Sequence, residues 1–367
     1  MDWWPINYWV HFGVFALIIV ILALIAGVMY FTWFERRVIG RFQIRLGPNR
    51  CGPFGLLQPI ADGLKIALKE DIVPDKADKI VHSLAPIVAF LPVIAAMAVV
   101  PIHNSKAGVV PDLNIGALYV VAIGSLGGLG IFMAGWASNN KYSIFGAMRA
   151  FAQTVSYEMP VVLAMVSVVM MVGSMSMVDI VEAQSVPFIL LQPLGFIIFF
   201  LAMAAECNRC PFDLLEAEGE IVAGFQTEYS GLKFCTFYLA EYGESFVMSA
   251  LVATLFLGGW KPEIASSGVL GIFWFIAKVY MVFFLLIWIR ATMPRLRVDQ
   301  WMGFAWKGLF PLALINLLIT AIEVVLFDSL IPGWMMFVNI PICIGLIVLW
   351  SKFFKLGGGR VEVPAIR

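Results

Sequence analysis

The feature that most constrains this chain is a series of nine long apolar runs, near 12–34, 80–101, 115–137, 154–173, 188–206, 237–257, 268–290, 308–327 and 334–353. A helix crossing ~30 Å of hydrocarbon at ~1.5 Å per residue needs about 20 mostly apolar residues, and these runs have that length. They are continuously apolar rather than alternating, which excludes a barrel. Composition agrees: 61% of the 367 residues are apolar or aromatic and 13% are charged, whereas a soluble domain averages about a quarter charged. An ordinary water-soluble enzyme, a disordered chain, collagen and a coiled-coil rod are all excluded.

The expected fold is therefore an all-α polytopic membrane protein of about nine transmembrane helices. It has eight if the last run, joined to its neighbour through Pro332 and Gly333, does not cross. The run near 12–34 lacks a preceding basic region and a following small-residue cleavage site, so it reads as a span rather than a signal peptide. The longest polar stretch, 35–79, is too short to bury its own core, so residues 1–367 form one integral-membrane domain. No inverted repeat of the transporter kind is visible. Alternating the loops places 21 of the 24 Lys and Arg, counting those at the membrane edge, on one side of the bilayer. The positive-inside rule then sets the N-terminus outside and the C-terminus in the cytoplasm, with loops 35–79, 207–236 and 291–307 cytoplasmic.

Balanced charge, 24 Lys plus Arg against 24 Asp plus Glu, predicts no attraction to nucleic acid. Five scattered cysteines form no disulfide framework. Cys207 and Cys210 make a C-x-x-C without a second pair or a nearby histidine, and two small residues at a helix end is the better reading than a metal site. Gly124, Gly127, Gly128 and Gly130 fall in the third span and read as close helix packing rather than a nucleotide loop. No metal, flavin or nucleotide site can be argued for.

The first cytoplasmic loop opens with Glu35-Arg36-Arg37, then Arg41, Arg45 and Gly47-Pro48-Asn49. The arginines alone fit positive-inside anchoring. Glu35 beside Arg36 does not, because an acid adds nothing to anchoring, and the pair suggests a site that handles a polar headgroup or a proton. From 54 to 70, Leu57, Ile60, Leu64 and Leu68 recur at helical spacing, with Gln58, Asp62, Lys65 and Lys69 on another face. This predicts an amphipathic helix at the interface, either a plain surface helix or one that sets Asp62 and Lys65 at the mouth of a cavity.

Acids also occur where they are costly. Glu158, Glu206, Glu241, Glu244 and Glu323 lie in or at the ends of spans, where a charge costs about 2.5–3.5 kcal/mol on insertion scales. One such glutamate is explained by interfacial placement; the set resembles what transmembrane proton transfer requires. The loop after the fifth run adds Asp213, Glu216, Glu218, Glu220 and Glu228 on the otherwise basic side. Interleaved with Pro211, Phe212 and Gly224, these read as a packed polar funnel.

At these residues the chain resembles the H-subunit family of bacterial NADH-quinone oxidoreductase, the respiratory complex I, which has a mitochondrially encoded counterpart. The matching blocks are E-R-R-V-I-G-R-F-Q-I-R-L-G-P-N from Glu35 with G-P-F-G-L-L-Q-P, then G-W-A-S-N-N-K-Y-S at Gly135–Ser143, and P-F-D-L-L-E-A-E-G-E-I-V-A-G-F-Q-T-E-Y-S at Pro211–Ser230. A further stretch runs from Trp288-Ile289-Arg290-Ala291-Thr292 to Arg297-Val298-Asp299-Gln300.

The resemblance implies a subunit of a proton-translocating NADH:quinone oxidoreductase in the bacterial cytoplasmic membrane, partnered by other membrane subunits and by peripheral iron–sulfur subunits that hold the redox centres. The substrate implied is a quinone, ubiquinone or menaquinone. Glu35, Arg36, Arg45 and Asp62 would serve the quinone channel. Glu206, Asp213, Glu216, Glu218, Glu220 and Glu228 would form the acidic funnel, and Glu158 and Glu241 its continuation, with Arg290 and Asp299 balancing those charges. The chain departs from the family at Cys207 and Cys210, where small or hydroxyl residues are commoner, and in having no acid between Asp112 and Glu158. Three rival readings are the homologous anchor of a membrane-bound hydrogenase or formate hydrogenlyase, a stand-alone ion transporter, and a purely structural anchor.

Overall fold

The computed structural model describes residues 28–103, 112–213, 221–261, 268–327 and 333–353, and among them every regular element is helical. In chain order these are α1 (28–42), α2 (Gln58–Ala67), α3 (Lys79–Met97), α4 (Gly116–Ala137), α5 (Lys141–Val172), α6 (Met177–Ala183), α7 (Phe188–Leu191) and α8 (Pro193–Glu206). They continue with α9 (Gly231–Leu255), α10 (Gly268–Thr292), α11 (Val298–Phe304), α12 (Phe310–Phe327) and α13 (Met336–Phe353). Among the described residues, six helical stretches are long and apolar enough to cross a membrane: α3, α4, α5, α10, the continuous segment Val298–Phe327, and Gly333–Lys352. The protein is an all-α, multi-pass membrane protein.

Most of the first apolar run lies outside the described residues. Two other runs differ from those six for physical reasons. The fifth is broken at Gln192 because Pro193 has no N–H to continue the ladder, leaving the four-residue α7 and the 14-residue α8. The sixth forms the 25-residue α9, which carries Lys233, Glu241 and Glu244. The eighth and ninth are separate helices, α12 and α13. The segment 291–307, read from sequence as a loop, is helical from Val298, because α11 runs through a π-turn at Ala305–Leu309 into α12.

Local chemistry sets the helix ends. Asp78 caps α3 by accepting from Ile80 and Val81 N–H, Asn140 caps α5 through Tyr142 N–H, and Gly173 ends α5 in the left-handed region. α4 packs most closely against α3 and α5, and α8 against α5. The close approach of α4 to α3 depends on Gly130, where an added Cβ would lie 2.5 Å from Ala89 N. Tyr157 and Trp301 are fully buried, and the Tyr157 hydroxyl donates to Trp301 O at 3.0 Å, tying α11 to α5.

Candidate functional site

The site is organised around Glu35. This residue follows the first apolar run on α1 and is buried. Arg209 reaches it at 3.3 Å and Arg290, in the last turn of α10, donates to it as well. Arg209 is itself buried, ion-paired to Glu241 at 3.4 Å and laid over the Tyr242 ring with its guanidinium carbon 4.2 Å from the centroid.

The turn after α8 explains how Arg209 arrives there. Asn208 takes a left-handed conformation (φ 52°), Asn208 N–H bonds Ala205 O, and Arg209 N–H bonds Ala204 O. This is the paired-bond helix stop that a left-handed residue permits, and asparagine tolerates it well. Gln153 of α5 fixes the same turn by donating to Ala205 O at 2.6 Å and Phe212 O at 2.9 Å.

Burial works to raise the Glu35 carboxyl, but Arg209 and Arg290 outweigh it and hold it below the ordinary glutamate range. Burial likewise works against the charge on Arg209, and Glu35 and Glu241 overcome it, so the guanidinium stays firmly protonated. Two acids and two arginines therefore form a neutral quartet, with Glu35 and Arg209 buried and Glu241 and Arg290 half-buried. Unpaired, the charge on Glu35 or Arg209 would be very costly to hold there.

Beside the quartet lies a cavity of about 40 Å³ whose lining includes Glu206, Glu241, Glu244, Arg209, Arg290, Thr154 and Gly127. At about 10–15 Å³ per water this admits about three or four molecules. Glu206 is buried and its Oε2 has no hydrogen-bond partner among the described residues. Glu158 and Glu244 both act on it electrostatically.

The α4 glycines divide here. Gly130 and Gly128 pack against Ala89 and Thr154, as the sequence suggests, but Gly124 and Gly127 do not pack closely. A Cβ on Gly127 would meet nothing within 4 Å, and one on Gly124 would meet only Glu206 Oε1, at 3.9 Å. A second cavity of about 40 Å³ shares Ala89, Gly127 and Glu244 with the first and extends past Gly124 toward Pro92 and Ala96 of α3. The third span contributes no carboxylate; it contributes room beside those of α8 and α9.

On the other side of the quartet is an open groove of about 410 Å³ between α2 and the start of α9, lined by Arg36, Asp62, Lys65, Lys69, Tyr229 and Phe234 among others. Arg36 donates to Asp62 at 2.5 Å, and Gln58 supports Asp62 from one turn away at 2.9 Å. Burial disfavours the Arg36 charge, but Asp62 and the Tyr238 hydroxyl outweigh it and raise its pKa. Tyr238 donates to Tyr242 at 3.2 Å, and Tyr242, under the Arg209 guanidinium, acts electrostatically on both Glu35 and Arg209. A chain of polar groups thus leads from the groove to the quartet. α2 is shorter than the segment 54–70 read from sequence, and Leu57, Ile60, Leu64 and Leu68 are exposed along it, the surface an interfacial helix offers to lipid.

The other residues singled out from sequence are scattered around this centre. Arg45 is exposed, its side chain donates to Gln43 at 2.7 Å, and it does not line the groove. Asp213 pairs with Arg295 at 2.9 Å and also lines the first cavity. Glu228 accepts from Asn140 Nδ2 at 2.6 Å. Asp299 sits in the first turn of α11 and joins none of the described ion pairs. Glu216, Glu218 and Glu220 lie outside the described residues. All five cysteines are free, with Cys207 buried. Burial, and then Asp213, push the Cys210 thiol up against the opposing pull of Arg290 and Arg295. Sequence reasoning missed Arg209, Tyr238 and Tyr242. The i,i+4 spacing of the tyrosines and Asn208 before Arg209 were the available signals.

A family model described as NADH dehydrogenase matches residues 15–321. The NADH-quinone oxidoreductase H subunit of Dehalococcoides mccartyi (strain CBDB1) is 55% identical over 357 residues, covering 97% of this chain and 99% of the relative. The chain belongs to the H-subunit family of NADH-quinone oxidoreductase. The H subunit of Brevibacillus brevis is 52% identical over 309 residues, 83% of this chain and 91% of that protein. That of Geobacillus kaustophilus is 50% identical over 318 residues, 86% and 94%. The quartet, the cavity and the groove are therefore features of a member of this H-subunit family.

Proposed function

We propose that this chain is a membrane subunit of an NADH:quinone oxidoreductase of the bacterial cytoplasmic membrane, that its groove between α2 and the start of α9 forms part of the quinone chamber, and that its buried carboxylates couple quinone reduction to proton translocation. Its partners are the other membrane subunits and the peripheral iron–sulfur subunits, which carry the electrons. The names and near-complete coverage of its relatives support the complex. The arrangement that carries the coupling reading is Glu206, Glu241 and Glu244 around one buried cavity with Arg209 and Arg290 in its wall.

A quinone lying along the groove brings its carbonyl oxygen to the donors of Arg36, whose direction Asp62 sets. Reduction to quinol takes two electrons from a partner's iron–sulfur centre and two protons. As negative charge develops at the quinone oxygens, the Tyr238–Tyr242 path carries the change in hydrogen bonding to Glu35 and Arg209. Arg209 is poised between Glu35 and Glu241 at nearly equal distances, 3.3 and 3.4 Å. A shift of its charge toward Glu35 leaves Glu241 less neutralised, and the carboxylates round the cavity, Glu206 and Glu244, then favour taking a proton. Glu228 and Asp213 stand at the loop end of this route, held by Asn140 and Arg295. Entry of the proton from the cytoplasmic side follows from the orientation that puts the basic loops and the C-terminus inside.

The test is Glu228→Gln in the intact complex. Assembly should persist while NADH-driven proton uptake into vesicles falls. An assembled Glu228→Gln complex pumping at the wild-type rate would remove Glu228 from the route.

A further inference from the structure

We propose that the break in the fifth span builds a binding site for a single sodium ion, with the Glu323 carboxylate and Asn339 Oδ1 as ligands. The site lies between α8, α12 and α13, at the Pro193 end of α8, opposite the end that carries Glu206 of the coupling route.

Four observations converge on it. Pro193 interrupts the helix, and the carbonyl of Leu191, instead of accepting from a helix N–H, accepts from Asn339 Nδ2 at 2.7 Å. Discontinuous spans expose backbone and side-chain oxygens at membrane depth, and such breaks are where membrane proteins hold small cations. Glu323 is buried at 6% exposure within the candidate span Val298–Phe327. Its side-chain contact is with Asn339 Nδ2 at 3.4 Å, and it joins none of the described ion pairs. Asn339 is buried at 8% exposure, and because its Nδ2 is committed to Leu191 and Glu323, its Oδ1 is left without a partner among the described residues. Both side chains line one cavity of about 20 Å³, room for a single water-sized body.

The rest of the lining holds this geometry. Gln192 donates to Thr320 at 2.7 Å and accepts from Ser167 at 3.2 Å, while Asn316 donates to Ser167 at 3.2 Å. These amides spend their donors on one another. The chemistry selects a monovalent ion: one carboxylate matches one positive charge, whereas calcium takes about 6–8 oxygens and magnesium retains several waters.

The test is equilibrium binding of radioactive sodium to the intact complex, purified in mild detergent and exchanged into choline buffer. Wild type is compared with Glu323→Gln and Asn339→Ala. The expected result is one sodium fewer per complex at saturation for Glu323→Gln, and binding at that site about tenfold weaker for Asn339→Ala. Equal sodium binding in the wild type and either assembled variant overturns the proposal. Infrared difference spectra of the wild type alone, sodium against choline, give a second reading that needs no variant. A sodium-dependent shift of a carboxylate band is expected. A difference spectrum with no sodium-dependent carboxylate band means that no carboxylate takes up sodium and the site is not a cation site.

Discussion

Replacing Arg209 with methionine removes the centre of the quartet while keeping most of the side-chain volume. At an effective dielectric constant of about 20, a unit charge pair at the 3.3–3.4 Å separations of Arg209 from Glu35 and Glu241 attracts by about 5 kcal/mol. The mutation forfeits both attractions and regains the cost of having desolvated the guanidinium. What remains is one excess negative charge shared by Glu35 at 3% exposure and Glu241 at 19%. Leaving a buried partner uncompensated costs about 3–5 kcal/mol. Arg290 still neutralises Glu35, so the lower figure applies. If that interaction is lost on the way to inactivation, 3 kcal/mol corresponds to about two orders of magnitude in rate.

The assay is the half-life of quinone reductase activity of the detergent-purified complex at fixed temperature, with assembled complex measured on native gels. The double variant Arg209→Met/Glu241→Gln restores neutrality and should recover most of the lost half-life. A single variant within twofold of wild type, or a double variant worse than the single, would refute the quartet as a charge-balanced unit.

Three further outcomes are expected. Gly130→Leu places its Cβ 2.5 Å from Ala89 N and should separate α3 from α4 at a cost of about 1–3 kcal/mol, whereas Gly127→Ala meets nothing within 4 Å and should assemble normally; immunoblots of membrane fractions distinguish them. Gln153→Leu strips the donor from Ala205 O and Phe212 O, each loss worth about 1–3 kcal/mol, and should make the 207–213 turn more accessible to protease. The lowered Glu35 pKa means its pairing stabilises the fold fully above the unfolded glutamate value of about 4.3 and loses that stabilisation as pH falls through the lower folded value. Inactivation rates of wild type should therefore climb below about pH 4, and Glu35→Gln should flatten that climb.

Much of the architecture is legible in local composition, because hydrocarbon demands apolar helices of a set length. The spans of α3, α4, α5, α10, α12 and α13 follow from their apolar runs directly. The break at Gln192-Pro193 was also written in the chain, but an uninterrupted apolar run masks a proline. The join between α11 and α12 was hidden for the opposite reason: Trp306 and Lys307 read as loop, and a π-turn carries them inside a helix.

The candidate site was legible only in its members. Glu35 could be picked out, but its partners stand 174 and 255 positions away, and only the packing of α1, α8, α9 and α10 brings them together. Pairing Glu35 with adjacent Arg36 was the natural expectation from sequence. Consecutive helical residues point in different directions, so Arg36 faces Asp62 in the groove while Glu35 faces Arg209 inside.

The central claim, that the carboxylates round the Glu206 cavity couple quinone reduction to proton movement, is tested most directly by Glu206→Gln in reconstituted vesicles. Quinone reduction and proton uptake are recorded together on the same assembled complex. Both should fall by about tenfold or more, because the redox step cannot complete while the proton step is blocked. Wild-type reduction with a wild-type proton yield per electron would contradict that claim.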